Sequence, residues 1–338
     1  MEKVKLSVII PARNEENNID RCVNSLSGAI PGNYSAEIIL VDCSSSDNTI
    51  LKAKSFPIKI LGTKPDWPQS PAAARYLGTK FATGDFIFFI DADMKLERGF
   101  LDKAMRLLDE NQLIAGISGI GKEIYIRDNK EIGYKPDIYQ TDKFNKKATF
   151  LGGAALYRKS CLDEIGGFNP YLRAGEEREL AQRLRKKGYD LLLIPFPMIC
   201  HYTALVEVWD EFLRQKRTRL FLGIGEAIRS CHSFKFLAET LFYYKEFTLF
   251  LIISLYILLI LTYSLFTVSL KYIYFCLLPY LILYIFLAVK KQSFKKPAVA
   301  IVKWLIISSD IMRGISLKPK DPSSYPTEVT IIQGEFNV

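Results

Sequence analysis

The stretch Gly84-Asp85-Phe86-Ile87-Phe88-Phe89-Ile90-Asp91-Ala92-Asp93-Met94 decides how this chain is read. Residues 86–90 are five consecutive apolar, β-prone side chains, the pattern of a buried central strand. Its carboxyl end opens onto two carboxylates one residue apart. Ligands of open α/β sheets bind at the carboxyl ends of the strands. Hard divalent cations take oxygen ligands and accompany phosphates. The pair therefore suggests a site for a metal and a diphosphate. A solvated turn is the plainer reading of a lone Asp-x-Asp.

The sequence on either side supplies the rest of a sheet. Residues 5–10, 37–41 and 58–61 read as further strands. Residues 15–26 carry Ile19, Val23 and Leu26 at helical spacing, residues 50–55 follow helix-starting caps at 46–49, and residues 72–82 are helical. Strands alternating with helices predict an α/β fold with a mostly parallel central sheet. Beyond it, 114–118 and 123–126 are two short β-like runs. Residues 175–187 form an amphipathic helix ended by Gly188, and 190–194 is a last strand leading to Pro195, Pro197 and His201.

The chain has 338 residues, is 49% hydrophobic and carries a net charge of +9. Its mean hydropathy is +0.10. The apolar excess is concentrated late. Residues 247–270 contain no charged side chain and would span about 36 Å as a helix; residues 272–289 form a second uncharged run of about 27 Å. With Lys271 between them they predict a transmembrane hairpin. Residues 298–309, interrupted by Lys303, read as an interfacial or re-entrant helix rather than a span. Lys290, Lys291, Lys295 and Lys296 follow the second run. The positive-inside rule then predicts a multi-pass cell-membrane protein with its N-terminal domain on the cytoplasmic face. Residues 1–3 lead straight into a strand, so no cleavable signal is expected.

The expected organisation is a catalytic domain at 1–205, a membrane-surface collar at 206–246, the hairpin at 247–296 and an interfacial helix with a tail at 297–338. The basic cluster at 214–219 suits an anionic leaflet. It leads into apolar runs without a nucleic-acid motif, so nucleic acid is excluded as a partner. The six cysteines show no paired metal spacing and suit a reducing compartment. His232 reads as a surface residue.

Five acidic positions, Glu15, Asp42, Asp91, Asp93 and Glu177, fall at predicted strand ends or a helix start. The runs that carry them are SVIIPARNEE (7–16), VDCSSSDNT (41–49), AAARYLGTKFATGDFIFFIDADM (72–94), GGAALYRKSCLDEIGGF (152–168) and GEERELAQRLRKKGY (175–189). In this order they resemble the family-2 inverting glycosyltransferases, which use the GT-A nucleotide-sugar fold. The resemblance covers roughly residues 5–205.

The resemblance implies a UDP- or GDP-linked sugar donor and Mg²⁺ or Mn²⁺. It implies that Pro11, Ala12, Arg13 and Glu15 line the nucleotide pocket and that Asp42 accepts hydrogen bonds from the base edge. Asp91 would touch the ribose or sugar and Asp93 the metal. Arg75 would face the phosphates, against the reading of an ordinary surface arginine. Glu177 stands where the family usually has an aspartate base, with Glu176 as the alternative. His201 would help bind metal or diphosphate, against the reading of a core or loop histidine.

Two departures narrow the acceptor. The Gln-x-x-Arg-Trp motif of processive synthases is absent, since Thr218 and Arg219 follow Gln215 at those positions. Residues 200–212, CHYTALVEVWDEF, replace the Arg and Gly-x-Ser-Lys stretch usual in polyprenyl-phosphate sugar transferases. A phosphate acceptor is already anionic and needs little help from a base, so a carboxylate at 177 fits a hydroxyl better. The expectation is a single sugar transfer to a hydroxyl of a lipid or lipid-linked glycan. The alternatives are a polyprenyl-phosphate glycosyltransferase and a catalytically silent membrane scaffold. A sugar-nucleotide pyrophosphorylase is disfavoured, because residues 9–18 contain no glycine.

Overall fold

A computed structural model describes residues 5–128, 130–141, 144–231, 233–268, 270–291 and 295–335. His232 and residues 1–3 fall outside them. The chain divides into two compact units, residues 1–214 with 319–338, and residues 215–318.

The first unit begins β1 (Leu6–Ala12), α1 (Ile19–Ala29), β2 (Ala36–Asp42), α2 (Thr49–Ala53), β3 (Lys59–Gly62), α3 (Pro71–Phe81) and β4 (Phe86–Phe89). It continues with β5 (Met94–Leu96), α4 (Phe100–Glu110), β6 (Ile114–Arg127), β7 (Lys130–Lys135), β8 (Lys146–Lys147) and β9 (Ala155–Arg158). Then come α5 (Lys159–Glu164), α6 (Glu176–Lys186) and β10 (Asp190–Ala204). After α7 (Val208–Arg217), the second unit holds α8 (Leu220–Arg229), α9 (Phe234–Tyr243), α10 (Lys245–Phe266), α11 (Tyr274–Lys291) and α12 (Lys295–Ser316). The chain returns to the first unit for β11 (Thr330–Gln333).

The continuous apolar strands are explained by helices on both sheet faces. Along β1, Leu6, Val8 and Ile10 join one core with Phe86, Phe88 and the inner faces of α1 and α4. Ile9 joins the other core with Ile87, Phe89 and residues of α3 and α6. Every side chain of β4 is buried, and β4 lies between β1 and β9.

The strand order is β11-β3-β2-β1-β4-β9-β6-β10-β5. The sheet is mixed, which corrects the expectation of a mostly parallel one. The four early strands pair in parallel, as do β6 and β10. However, β9 runs antiparallel to both β4 and β6, β5 is antiparallel to β10, and β11 is antiparallel to β3. The alternation of strand and helix behind the expectation holds only as far as β4. The two β-like runs at 114–126 are one strand, because β10 pairs along both of them. β10 itself continues through Pro195 and Pro197, with register shifts there, and carries His201 on the sheet.

A buried polar knot ties β1, β2, β3 and the start of β4 together. Glu37, 8% exposed, accepts from Ser7 Oγ (2.6 Å), Thr83 N (2.7 Å), Thr83 Oγ1 (2.8 Å) and Lys59 Nζ (2.8 Å). Burial alone would raise its pKa; these donors outweigh burial and hold it below the usual carboxylate range. Its contribution to stability is therefore present above the unfolded-state pKa and lost as pH falls through the folded one. Glu37→Ala is expected to cost about 3 kcal/mol at neutral pH, because four donors from three residues lose a buried partner. Equilibrium denaturant unfolding checks this, and a loss under about 0.5 kcal/mol would contradict it.

The second unit corrects the expected topology. Among the described residues one helix is long and apolar enough to cross a membrane, Phe247–Phe266 within α10, with mean hydropathy 2.5. The uncharged run at 247–270 does not continue as one α-helix, since a short 3-10 turn occupies Leu270–Ile273. The apolar part of α11, Tyr274–Phe286, is too short for a second span. The described residues thus argue against the multi-pass hairpin, and the orientation inferred from it falls with it. Absence of charge over a window counts residues but does not require them to share one helix.

Candidate active site

The parallel strands end level with one another. Ala12 on β1 stands opposite Asp42 on β2, which stands opposite Gly62 on β3. The loops that follow β1 and β2 are laced together: Asn14 N donates to Ser45 Oγ (2.9 Å), Glu15 N to Thr49 Oγ1 (2.7 Å) and Ser46 N to Asn14 Oδ1 (2.8 Å). A cavity of ≈ 440 Å³ opens beside them, with Arg13, Asp42, Ser45, Thr63 and Gln69 in its walls. Asp42 is 2% exposed. Its Oδ2 accepts from Ser45 N at 2.9 Å, while its Oδ1 is buried with no hydrogen-bond partner. Burial raises its pKa against the Ser45 hydrogen bonds. A buried acceptor left open at a cavity wall suits an N–H donor from a ligand.

Asp91, Arg75, Glu176 and Glu177 form one cluster. Arg75, on α3, is 2% exposed. Its guanidinium reaches Asp91 Oδ1 (2.7 Å), Glu176 Oε1 (2.8 Å) and Glu177 Oε1 (3.4 Å). It thus links the turn after β4 to the first turn of α6. Glu176 is buried, and burial with the Glu177 charge raises its pKa against the pull of Arg75. Glu177 keeps a more open side chain and a longer contact to Arg75. The chain passes close by at Gly153, where a Cβ would lie 2.6 Å from Asp91 Oδ2 and would displace that carboxylate.

Asp93 faces β10. Its Oδ2 lies 3.1 Å from His201 Nε2, and its Oδ1 is buried without a partner. His201 sits opposite Met94 in the β10–β5 pairing, which explains the approach. Burial lowers the basicity of His201, but the Asp93 hydrogen bond and the charges of Asp93, Asp91 and Glu123 outweigh it and raise its pKa. Burial pushes Glu15 up to about 7 against a hydrogen bond from Asn18; the Asp93 and Asp91 charges add to the effect of burial. Surplus negative charge with an orphaned carboxylate oxygen fits a cation, and Asp93 with His201 offers an O,N donor pair. Among the described residues no group of three or more His, Cys, Asp or Glu side chains is arranged to hold a metal alone.

The structure therefore gathers Asp91, Arg75, Glu176 and Glu177 in one contact network and Asp93 with His201 in another, two residues apart in the chain. Pro11 and Ala12 are buried at the end of β1, and Arg13 lines the cavity with Asp42. Sequence reasoning missed Glu123, whose Oε1 lies 4.0 Å from His201 Nδ1, because nothing marks it before β6 is seen beside β10. It also missed the cavity walls Ser45, Thr63 and Gln69 and the C-terminal residues Thr330 and Ile332. Ser45 lay within a quoted motif; the C-terminal pair carries no local signal.

Residues 7–166 match the model of glycosyl transferase family 2. The match spans β1 through α5, including the Asp91–Asp93 turn. Curated proteins similar to this chain include a pre-mycofactocin glycosyltransferase from Mycobacterium tuberculosis, 26% identical over 58% of this chain and 42% of its own length. Another is the glycosyltransferase AglE of Haloferax volcanii, 24% identical over 58% of this chain and 66% of its own. A dolichol-phosphate mannosyltransferase of Pyrococcus furiosus is 29% identical over 49% of this chain and 45% of its own. The chain spans about half the length of the curated relatives it matches.

Among solved structures, GalNAc-T7 with UDP, GalNAc and Mn²⁺ has a TM-score of 0.50 at 18% identity over 60% of this chain and 45% of its own. Residues 1–349 of S. aureus TarS with UDP-GlcNAc have a TM-score of 0.50 at 18% identity, over 70% of this chain and 72% of theirs. These two likenesses establish the GT-A-like fold. The family match supports enzymatic sugar transfer.

Proposed function

We propose that this protein is an inverting glycosyltransferase. It would move one sugar from a UDP- or GDP-linked donor to a hydroxyl of a lipid or lipid-linked glycan, with Mg²⁺ or Mn²⁺ at Asp93 and His201. The observation that carries the proposal is the pair of orphaned carboxylate oxygens, on Asp42 at the end of β2 and on Asp93 in the turn after β4, the two strands that flank β1 in the sheet. One suits the N–H edge of a base and the other a cation on a diphosphate. The structure of GalNAc-T7, similar in fold, contains UDP, GalNAc and Mn²⁺.

The roles follow from charge and exposure. Asp42 receives the base edge in the cavity it shares with Arg13, next to Pro11 and Ala12. Asp91, fixed by Arg75, presents its carboxylate to the ribose or sugar. Bound metal supplies Lewis-acid neutralisation of the charge that develops on the departing diphosphate. Glu177 takes the proton of the acceptor hydroxyl as that oxygen attacks the anomeric carbon from the face opposite the diphosphate. Glu176, locked on Arg75, holds the start of α6 in place. Arg75 is a positioning residue, because all three of its carboxylate contacts are within the protein. Glu15 adds negative charge around the cation.

The apolar surface of α10 supports attachment to a membrane. Ile252, Leu255, Leu258 and Leu259 are each at least 57% exposed on it. A lipid-linked acceptor would be presented at that surface.

The proposal is tested by thermal shift of the full chain in detergent with UDP- and GDP-sugars, with and without Mn²⁺. At a hundredfold excess over Kd, one donor class with Mn²⁺ is expected to raise Tm by roughly 5 °C. No shift with any donor at millimolar concentration would sink it.

A further inference from the structure

The C-terminal segment is built into the same cavity. After α12 the chain rejoins the first unit at Pro319. Tyr325 is 2% exposed and meets Trp67, Tyr76 and Tyr171 edge-on, with ring centroids at 5.9, 6.0 and 5.4 Å. Its hydroxyl donates to Pro68 O at 2.7 Å. Further along, Gln333 Nε2 donates to Phe56 O (2.8 Å) and Ile58 O (2.9 Å). Between these anchors β11 adds to the free edge of β3.

The register matters. Thr330 stands opposite Gly62, which stands opposite Asp42, which stands opposite Ala12. One row of the sheet thus runs from the first nucleotide motif to the tail. Asp42 and Thr330 are two strand spacings apart, about 9.6 Å, enough for a planar base between them. At Gly62 a Cβ would lie 2.8 Å from Ile332 Cδ1, so the Ile332 side chain occupies the space that a side chain at 62 would need. Thr330 and Ile332 both line the cavity that contains Asp42. The neighbouring Ile331 is 47% exposed and is not part of it.

We infer that β11 is the outer wall of the donor's nucleoside site, with Ile332 as an apolar floor and Thr330 opposite Asp42 at the base edge. The inference rests on the donor reading of this cavity given above. The strand contacts the nucleoside and leaves the diphosphate to the Asp93 end of the site, so it governs base affinity separately from phosphate affinity.

The test is calorimetric titration of the full chain with UDP, GDP and Mn²⁺-pyrophosphate. Thr330→Trp, which fills the gap, and Ile332→Ala, which removes the floor, are compared with Ile331→Ala on the other strand face. The first two are expected to weaken the preferred nucleoside diphosphate at least about tenfold while pyrophosphate binding stays within about twofold. Ile331→Ala is expected to bind both as wild type does. If the wild type binds neither nucleotide, the donor reading itself fails. If the wild type binds and both wall variants match it, the inference alone is overturned. It is also overturned if pyrophosphate binding falls in step with nucleotide binding, because the strand then acts only through folding.

Discussion

Asp93→Asn is expected to lower sugar transfer by about a thousandfold and to abolish the Mn²⁺-dependent part of donor binding. The substitution keeps the size of the side chain and one oxygen, so the approach of His201 Nε2 to this position, 3.1 Å in the native chain, survives as a hydrogen bond. What it removes is the negative charge at an oxygen that the protein leaves buried and unpartnered. A neutral amide is a poor ligand for a hard divalent ion, and Lewis-acid assistance to a leaving diphosphate is worth several kcal/mol, about 4 kcal/mol for a thousandfold effect. Folding is expected to be preserved or slightly improved, because one of several clustered negative charges is gone. Turnover and donor thermal shift, each with and without Mn²⁺, separate these effects. Full activity in the variant would remove Asp93 from the site.

Glu177→Gln is expected to lower turnover by about 10²–10⁴-fold and to leave donor affinity within about twofold. The amide cannot accept the acceptor's proton at neutral pH. Its contact with Arg75 is the longest of the three, 3.4 Å, so the cluster retains Asp91 at 2.7 Å and Glu176 at 2.8 Å. Glu176→Gln is expected to act differently. It weakens a short buried ion pair, lowers stability and moves turnover less. Single-turnover kinetics beside denaturant unfolding distinguish the two carboxylates. The reverse pattern, with chemistry lost in Glu176→Gln and kept in Glu177→Gln, would exchange their roles.

The legibility of this chain in its sequence varies with distance. The strands β1 to β4 and the helices between them were readable, because buried parallel strands show unbroken apolar runs and their helices show helical spacing. Strand direction beyond β4 was not. Residues 155–158 return between β4 and β6, a pairing that no local pattern encodes. Asp42, Asp91, Asp93 and the glutamates of α6 were visible through motif order. Arg75 was read as facing phosphate or solvent, and the structure sets its guanidinium on three carboxylates from 16 to 102 residues away in sequence. The strand in the tail carries no signal of its own, since a four-residue strand is short and its partner lies over 260 residues earlier. A charge-free run marks a membrane span only where its length falls within one helix. Among the described residues, only α10 keeps a membrane-spanning apolar length within a single helix.

The central claim is that a nucleoside diphosphate sugar is held through a divalent ion at Asp93 and attacked with help from Glu177. Its most direct test is nucleoside diphosphate release from UDP- and GDP-sugars by the full chain in membranes supplied with lipid extract. Wild type, Asp93→Asn and Glu177→Gln are measured with Mn²⁺ and with chelator. The account predicts Mn²⁺-dependent release by the wild type and loss of at least about a hundredfold in both variants, with Mn²⁺-dependent donor binding kept only by Glu177→Gln. Equal release by all three proteins, or release unchanged by chelator, would contradict it.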